Sequence, residues 1–281
     1  MSNLHIRIES LRSTGAYALY DSVPQPSQPF CWAESLGDCS VEMDKEHLIS
    51  SGSITDELVR VCGASWCHGR TSIVPKGHFK SSILCRKHNN QLSGVDQVGA
   101  SGLHLLEAAL LGPPDDSNFE SDDPSNDSNK SLWNPSKVTD GNILERWLLK
   151  HTINLEVMED FSIRPPKDIV ELVFGRRMFG AGAGLYFLHA VGDTVKPQRG
   201  RLEYVRQTTS VNGQERVIGG LFKLRGVDLL ICTQARDPLL PFEIGGRTIQ
   251  FLHRQEKFVF NSTTHETHSM SYKWQSSQSN H

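Results

Sequence analysis

Two short stretches of this chain concentrate side chains that bind metals or move protons. Residues 44–50 read DKEHLIS and residues 84–92 read LCRKHNNQL. The first sets a carboxylate, Glu46, beside an imidazole, His47. The second sets Cys85 and His88 two residues apart and follows them with Asn89, while CWAESLGDC upstream adds Cys31 and Cys39. A C-x2-H pair lets one turn offer sulfur and nitrogen to the same ion, and four such ligands close a tetrahedral zinc at about 2.0–2.3 Å. Cys31 and Cys39 are widely spaced for such a site, but a turn at Leu36–Gly37–Asp38 would bring their thiols together. Cys62 and Cys67, in VCGASWCHG, form a rival pair with His68 beside it. Cys232, in the apolar run LLICTQ, reads as core. Five of the six cysteines fall within residues 31–85. In a reducing compartment such clustering favours metal ligation over disulfides.

The Glu46–His47 pair suggests a second chemistry. Phosphodiester cleavage needs a hard cation held by oxygen ligands and a base of near-neutral pKa to activate water. Glu46 and the side-chain carbonyl of Asn89 offer the oxygens, and His47 offers the base. Neighbours on a strand point to opposite faces, so Glu46 and His47 converge on one substrate only where a strand ends or bulges. Asp96, in LSGVD, reads as a helix-capping or structural acid.

These motifs, in this order, resemble the HNH, or ββα-metal, endonuclease family in its zinc-stapled bacterial form. The resemblance rests on Cys31…Cys39, Glu46–His47 and Cys85-x-x-His88–Asn89, over about residues 31–100. It implies His47 as general base, with Glu46 and Asn89 holding Mg²⁺ or Mn²⁺. It also implies a separate structural zinc on Cys31, Cys39, Cys85 and His88, and nucleic acid, DNA foremost, as substrate. A place in a bacterial defence system follows by analogy only. His88 stands where the family has a second cysteine, and the family's middle Asn or His has no match, KSSILC offering only Ser81 or Ser82.

Charge placement points the same way. From Leu58 to Val95 there is no acidic residue, while the window carries Arg60, Arg70, Lys76, Lys80, Arg86 and Lys87. Of these, Arg70, Lys76, Lys80, Arg86 and Lys87 are the candidate phosphate contacts. Net charge is −3 overall, so total charge selects no partner. A non-catalytic zinc protein that binds nucleic acid or another protein fits the same residues.

The elements that must position these groups give an α+β chain: an N-terminal ββα-metal zinc module followed by a mixed α+β C-terminal domain. The expected divisions are a lead-in over 1–30, the zinc module over 31–112, an acidic linker over 113–139, the C-terminal domain over 140–262 and a polar tail over 263–281. Within the module, SGLHLLEAALLG has helical spacing. The linker is too polar to offset its ordering entropy. Asp140 is placed to cap a helix whose apolar stripe runs through Ile143, Leu144, Trp147, Leu148 and His151. RPPKDIVELVFG reads as a second helix closed by Gly175. GLYFLHAV, RLEYVRQT, RVIGGLFKL, VDLLICTQ, RTIQFLH and KFVFN read as strands. FGAGAGLYF leads into a strand rather than a helix, which marks a turn and not a nucleotide loop. No apolar run is long enough to cross a bilayer, and MSNLHIRIES lacks a secretory pattern, so the cytoplasm is the expected location. The C-terminal domain is the candidate surface for a homodimer or a system partner.

Overall fold

The computed structural model describes residues 4–11, 20–111, 138–190, 200–211, 214–224, 226–234, 242–244, 247–254, 257–261 and 267–274. In chain order the first elements are β1 (His5–Leu11), β2 (Met43–His47), β3 (Leu58–Cys62), β4 (Ser72–Pro75), β5 (Lys80–Cys85) and α1 (Arg86–Leu111). β6 (Val138–Asp140), α2 (Gly141–Glu159) and α3 (Lys167–Val173) follow. The chain then turns to β7 (Gly184–Ala190), β8 (Arg201–Val211), β9 (Gln214–Leu224), β10 (Val227–Cys232), β11 (Phe242–Ile244), β12 (Arg247–His253), β13 (Lys257–Asn261) and β14 (Thr267–Lys273). The class is α+β, with three helices among the described residues.

One sheet of nine strands dominates, in the order β11-β12-β7-β10-β9-β8-β1-β3-β4, and its pairings are antiparallel. β1 alternates Ile6 and Ile8 inward and bonds to β3 on one side and β8 on the other. The segment expected as a lead-in therefore supplies an interior strand. It joins strands from before and after the acidic segment, most of which, residues 112–137, lies outside the described residues. The tail likewise supplies β14, which pairs with β13 and runs parallel to β6. Tyr272 is buried there, and Trp274 packs over Gly141. A separate two-stranded pair, β2 with β5, runs directly into α1.

α1 begins immediately after Cys85, well before the apolar stretch that announced a helix. α2 starts where expected: the Asp140 carboxylate accepts from the N–H groups of Asn142 (2.9 Å) and Ile143 (3.1 Å). Its burial is not one-sided. Besides Leu144, Trp147, Leu148, Leu149 and Leu155, it buries Glu145, Lys150, His151, Thr152, Asn154 and Glu156. Buried polar groups persist only when bonded, and α2 finds its partners in two directions. Toward β2 and α1 lie Glu46, Ser50 and Asp96. Toward the long sheet, Glu145 takes Arg254 and the N–H of Leu185, and Glu156 takes the hydroxyl of Tyr204 and Arg206. Among the described residues the main hydrophobic cluster runs from Trp32, Leu48 and Leu84 through Trp147 and Leu155 to Phe187 and Tyr204, and a smaller one gathers Tyr186, Leu230 and Cys232. No helix among the described residues is long and apolar enough to cross a membrane.

Candidate metal centre

Four side chains from three short segments converge. After Cys31 the chain makes a 3-10 turn over Glu34–Leu36, and Gly37, at φ 79°, reverses it. This left-handed position costs a glycine little and returns Cys39 toward Cys31. Cys85 ends β5, and His88 lies in the first turn of α1. The Nδ1 atom of His88 lies 3.3 Å from the Sγ of Cys31, 3.3 Å from that of Cys85 and 3.6 Å from that of Cys39. All four ligand atoms lie within 4.8 Å of one another. Bonds of about 2.0 Å to nitrogen and 2.3 Å to sulfur give tetrahedron edges of roughly 3.5–3.8 Å, so the set suits a Cys₃His zinc. Cys31, Cys85 and His88 are buried, and Cys39 is exposed. These four can hold a metal ion such as zinc, and they are the four read from sequence. Among the described residues no other group of three or more His, Cys, Asp and Glu side chains is gathered this closely.

The thiols differ in their surroundings. Burial raises the Cys31 and Cys39 thiols. Burial also acts to raise Cys85, but the backbone N–H of His88 and the groups of Ser40 outweigh it and bring that thiol down to about 6. The far side of the His88 ring meets Asp38, with Nε2 2.9 Å from Oδ1. Lys87 and Arg176 contact the other Asp38 oxygen at 2.8 and 3.2 Å. Hydrogen bonds from Lys87 and His88 hold the Asp38 carboxyl well below the usual range. Cys62 and Cys67 stand elsewhere, their sulfurs facing the carbonyls of Arg7 and Val61.

The three residues expected to form a cleavage centre have separate partners. Glu46 is buried, and its Oε1 lies 2.6 Å from the Nζ of Lys150 and 3.1 Å from the Nδ2 of Asn154. Lys150, itself fully buried, also reaches the Oδ2 of Asp96 at 2.5 Å. Asp96 lies inside α1 rather than capping it, and its Oδ1 accepts from the hydroxyl of Ser50. Asn89 donates to the Oδ2 of Asp44 at 3.0 Å. His47 closes β2 opposite Lys80, half-buried, after a bulge between Asp44 and Glu46. Burial, then Lys80 and Lys150, lower the His47 pKa and keep the ring neutral.

The cations expected on a phosphate-binding face are largely engaged. Arg70 pairs with Asp21, Arg86 with Glu42 and Lys87 with Asp38, while Lys76 donates to the carbonyl of Ile54. Arg60 faces Glu9. These acids precede the acid-free window in sequence and fold back onto it. Sequence reasoning missed Asp38, Lys150 and Asn154. Asp38 left one signal, its place beside the ligand Cys39; Lys150 and Asn154, in an unremarkable helical stretch, left none. Comparison with family models, with curated proteins and with solved structures finds no match for this chain.

Proposed function

We propose that this chain is a zinc-stapled nucleic-acid-binding protein with a ββα-metal-like core, which grips its target without cutting it. The observation that carries this reading is the position of Lys150. Its ammonium lies between Glu46 and Asp96, where the sequence motif would have Glu46 hold a divalent ion. A catalytic cation must be reachable by a phosphate oxygen and carry charge that the protein has not neutralised. Lys150 is instead a fixed charge on a buried stem, matched by two carboxylates, and it supplies structure rather than Lewis acidity. The surface around His47 still suits a polyanion. Lys80 stands opposite His47 across the strand pair, and among the described residues no carboxylate pairs with it.

A second reading, an HNH-type endonuclease, draws support from His47 itself. A half-buried imidazole kept neutral is the form a general base requires. One experiment separates the two. Supercoiled plasmid is incubated with the protein in Mg²⁺, in Mn²⁺ and in EDTA, and filter retention of the same DNA is measured across a salt series. Binding without cutting predicts no nicking in any buffer, retention that weakens with salt, and weaker retention for Lys80→Ala. Nicking that depends on Mg²⁺ or Mn²⁺ and vanishes in His47→Ala would overturn the binding reading in favour of the nuclease. Absence of both retention and nicking at low salt would overturn both readings.

A further inference from the structure

We propose that Asp38 is a positioning residue for the metal centre: it fixes His88 in the tautomer that coordinates through Nδ1 and ties that ring to Arg176 in the turn after α3. The inference rests on the reading of Cys31, Cys39, Cys85 and His88 as a zinc site.

A neutral imidazole has one N–H and one lone pair, and the hydrogen bond at one nitrogen selects which atom remains for a metal. At His88 the two nitrogens face unlike surroundings. Nδ1 faces the three sulfurs at 3.3, 3.3 and 3.6 Å. Nε2 faces only a carboxylate oxygen, at 2.9 Å. An ionised carboxylate accepts and cannot donate, so the proton resides on Nε2 and the Nδ1 lone pair points at the thiolates. A carboxylate behind a ligating histidine also raises the basicity of the ligand.

Asp38 is itself held. Its Oδ1 serves His88, while its Oδ2 takes Lys87 from α1 and Arg176 from beyond α3. The two cations have an electrostatic reason to be there. Three thiolates and Zn²⁺ sum to −1, and Asp38 adds a further negative charge beside them. Lys87 and Arg176 offset both. The same turn carries Phe174, whose ring meets His88 edge-on at 5.2 Å and also touches Trp32. The three sulfurs, the histidine, the aspartate and the α3 turn thus form one chain of contacts between residues far apart in sequence.

The test uses the full chain, stripped of metal by a chelator under reducing conditions. Zinc affinity is measured by competition with a chromophoric chelator, and ligand geometry by the d–d bands of the Co²⁺ form. Wild type is expected to bind one zinc, and Cys85→Ser to lose it. Asp38→Ala is expected to bind zinc about 10- to 100-fold more weakly, the range for lost partners of ligating histidines. Asp38→Asn, which keeps an acceptor without the charge, is expected to fall between wild type and Asp38→Ala. Both should shift the Co²⁺ bands, which a merely structural role away from the ligands would not do. Arg176→Met should weaken zinc less than Asp38→Ala, and it carries the test if Asp38→Ala does not fold. Wild-type affinity and an unshifted Co²⁺ spectrum in both Asp38 variants would overturn the positioning role alone. A wild-type chain that takes up no zinc would overturn the metal centre as well.

Discussion

His151 shows at the scale of one residue how strongly α2 depends on its surroundings. The ring is fully buried, with Nδ1 3.1 Å from the carbonyl of Leu48 and Nε2 3.1 Å from the hydroxyl of Ser50. Burial, with the Lys150 ammonium beside it, pushes its pKa down to about 3. In the unfolded chain a histidine titrates near about 6.5. Below that value the unfolded state takes up a proton that the folded state refuses. The stabilising effect of a neutral His151 is thus complete above about pH 6.5 and is lost as pH falls toward about 3, to a total on the order of 5 kcal/mol. Glu46 works in the opposite sense, because burial holds its carboxyl above the usual range. Urea unfolding between pH 7.5 and 4.5, with chelator present so that zinc loss does not contribute, should show stability falling with pH. His151→Gln should flatten that slope, and an equal slope in the variant would refute the assignment. Cys85 and His88 of the candidate metal centre were legible in sequence because C-x2-H is a local geometry that one turn sets. The environment of His151 was not. It is made by Leu48, Ser50 and Lys150, and of these only Lys150 is near it in the chain.

Among the elements, α1 and α2 approach each other more closely than side chains usually permit. A Cβ at Gly99 would lie 2.2 Å from two ring carbons of Trp147. Trp147 is fully buried and donates from Nε1 to the hydroxyl of Ser50 at 2.9 Å, so the indole cannot swing aside without breaking that bond. Gly220 does the same for the sheet, where a Cβ would meet the ring of Tyr204 at 2.5 Å. Gly99→Ala should therefore destabilise the fold by about 1–3 kcal/mol, overpacking outweighing the gain of roughly 1 kcal/mol in helix propensity. Gly94→Ala, in the same helix with open space around its Cβ, should be neutral or stabilising. Urea midpoints of the pair test this, and equal shifts would mean that α1 and α2 do not pack as described. The start of α2 and most of the later strands were legible from a cap, β-branched runs and turn residues. β1 and β14 were not, because each is seven residues of mixed polarity, and β1 between β3 and β8, like β14 beside β6, is placed by strands distant in sequence. The first half of α1 was hidden by RKHNNQLSGVDQ, whose polar residues and glycine dilute its helical period.

For the molecule as a whole, the question is whether the residues before and after the acidic segment can part. β1 lies between β3 and β8 in one sheet. Lys150, from after the segment, pairs with both Glu46 and Asp96 from before it. Asn154 donates to Glu46 and to the carbonyl of His47, and accepts from the indole of Trp32 at 3.1 Å. Separation would strand buried charges without partners, and removing one member of such a pair costs about 3–5 kcal/mol even before lost apolar contacts are counted. A site for a sequence-specific protease placed within residues 112–137 tests the consequence. After complete cleavage the two pieces should still co-elute in gel filtration, keep the circular dichroism of the intact chain and separate only in denaturant. Two pieces that elute apart under native conditions, each with its own cooperative transition, would restore the arrangement of independent modules suggested by the acidic segment. The shared sheet and the polar contacts of α2 argue against that result, because neither half can satisfy its buried groups alone.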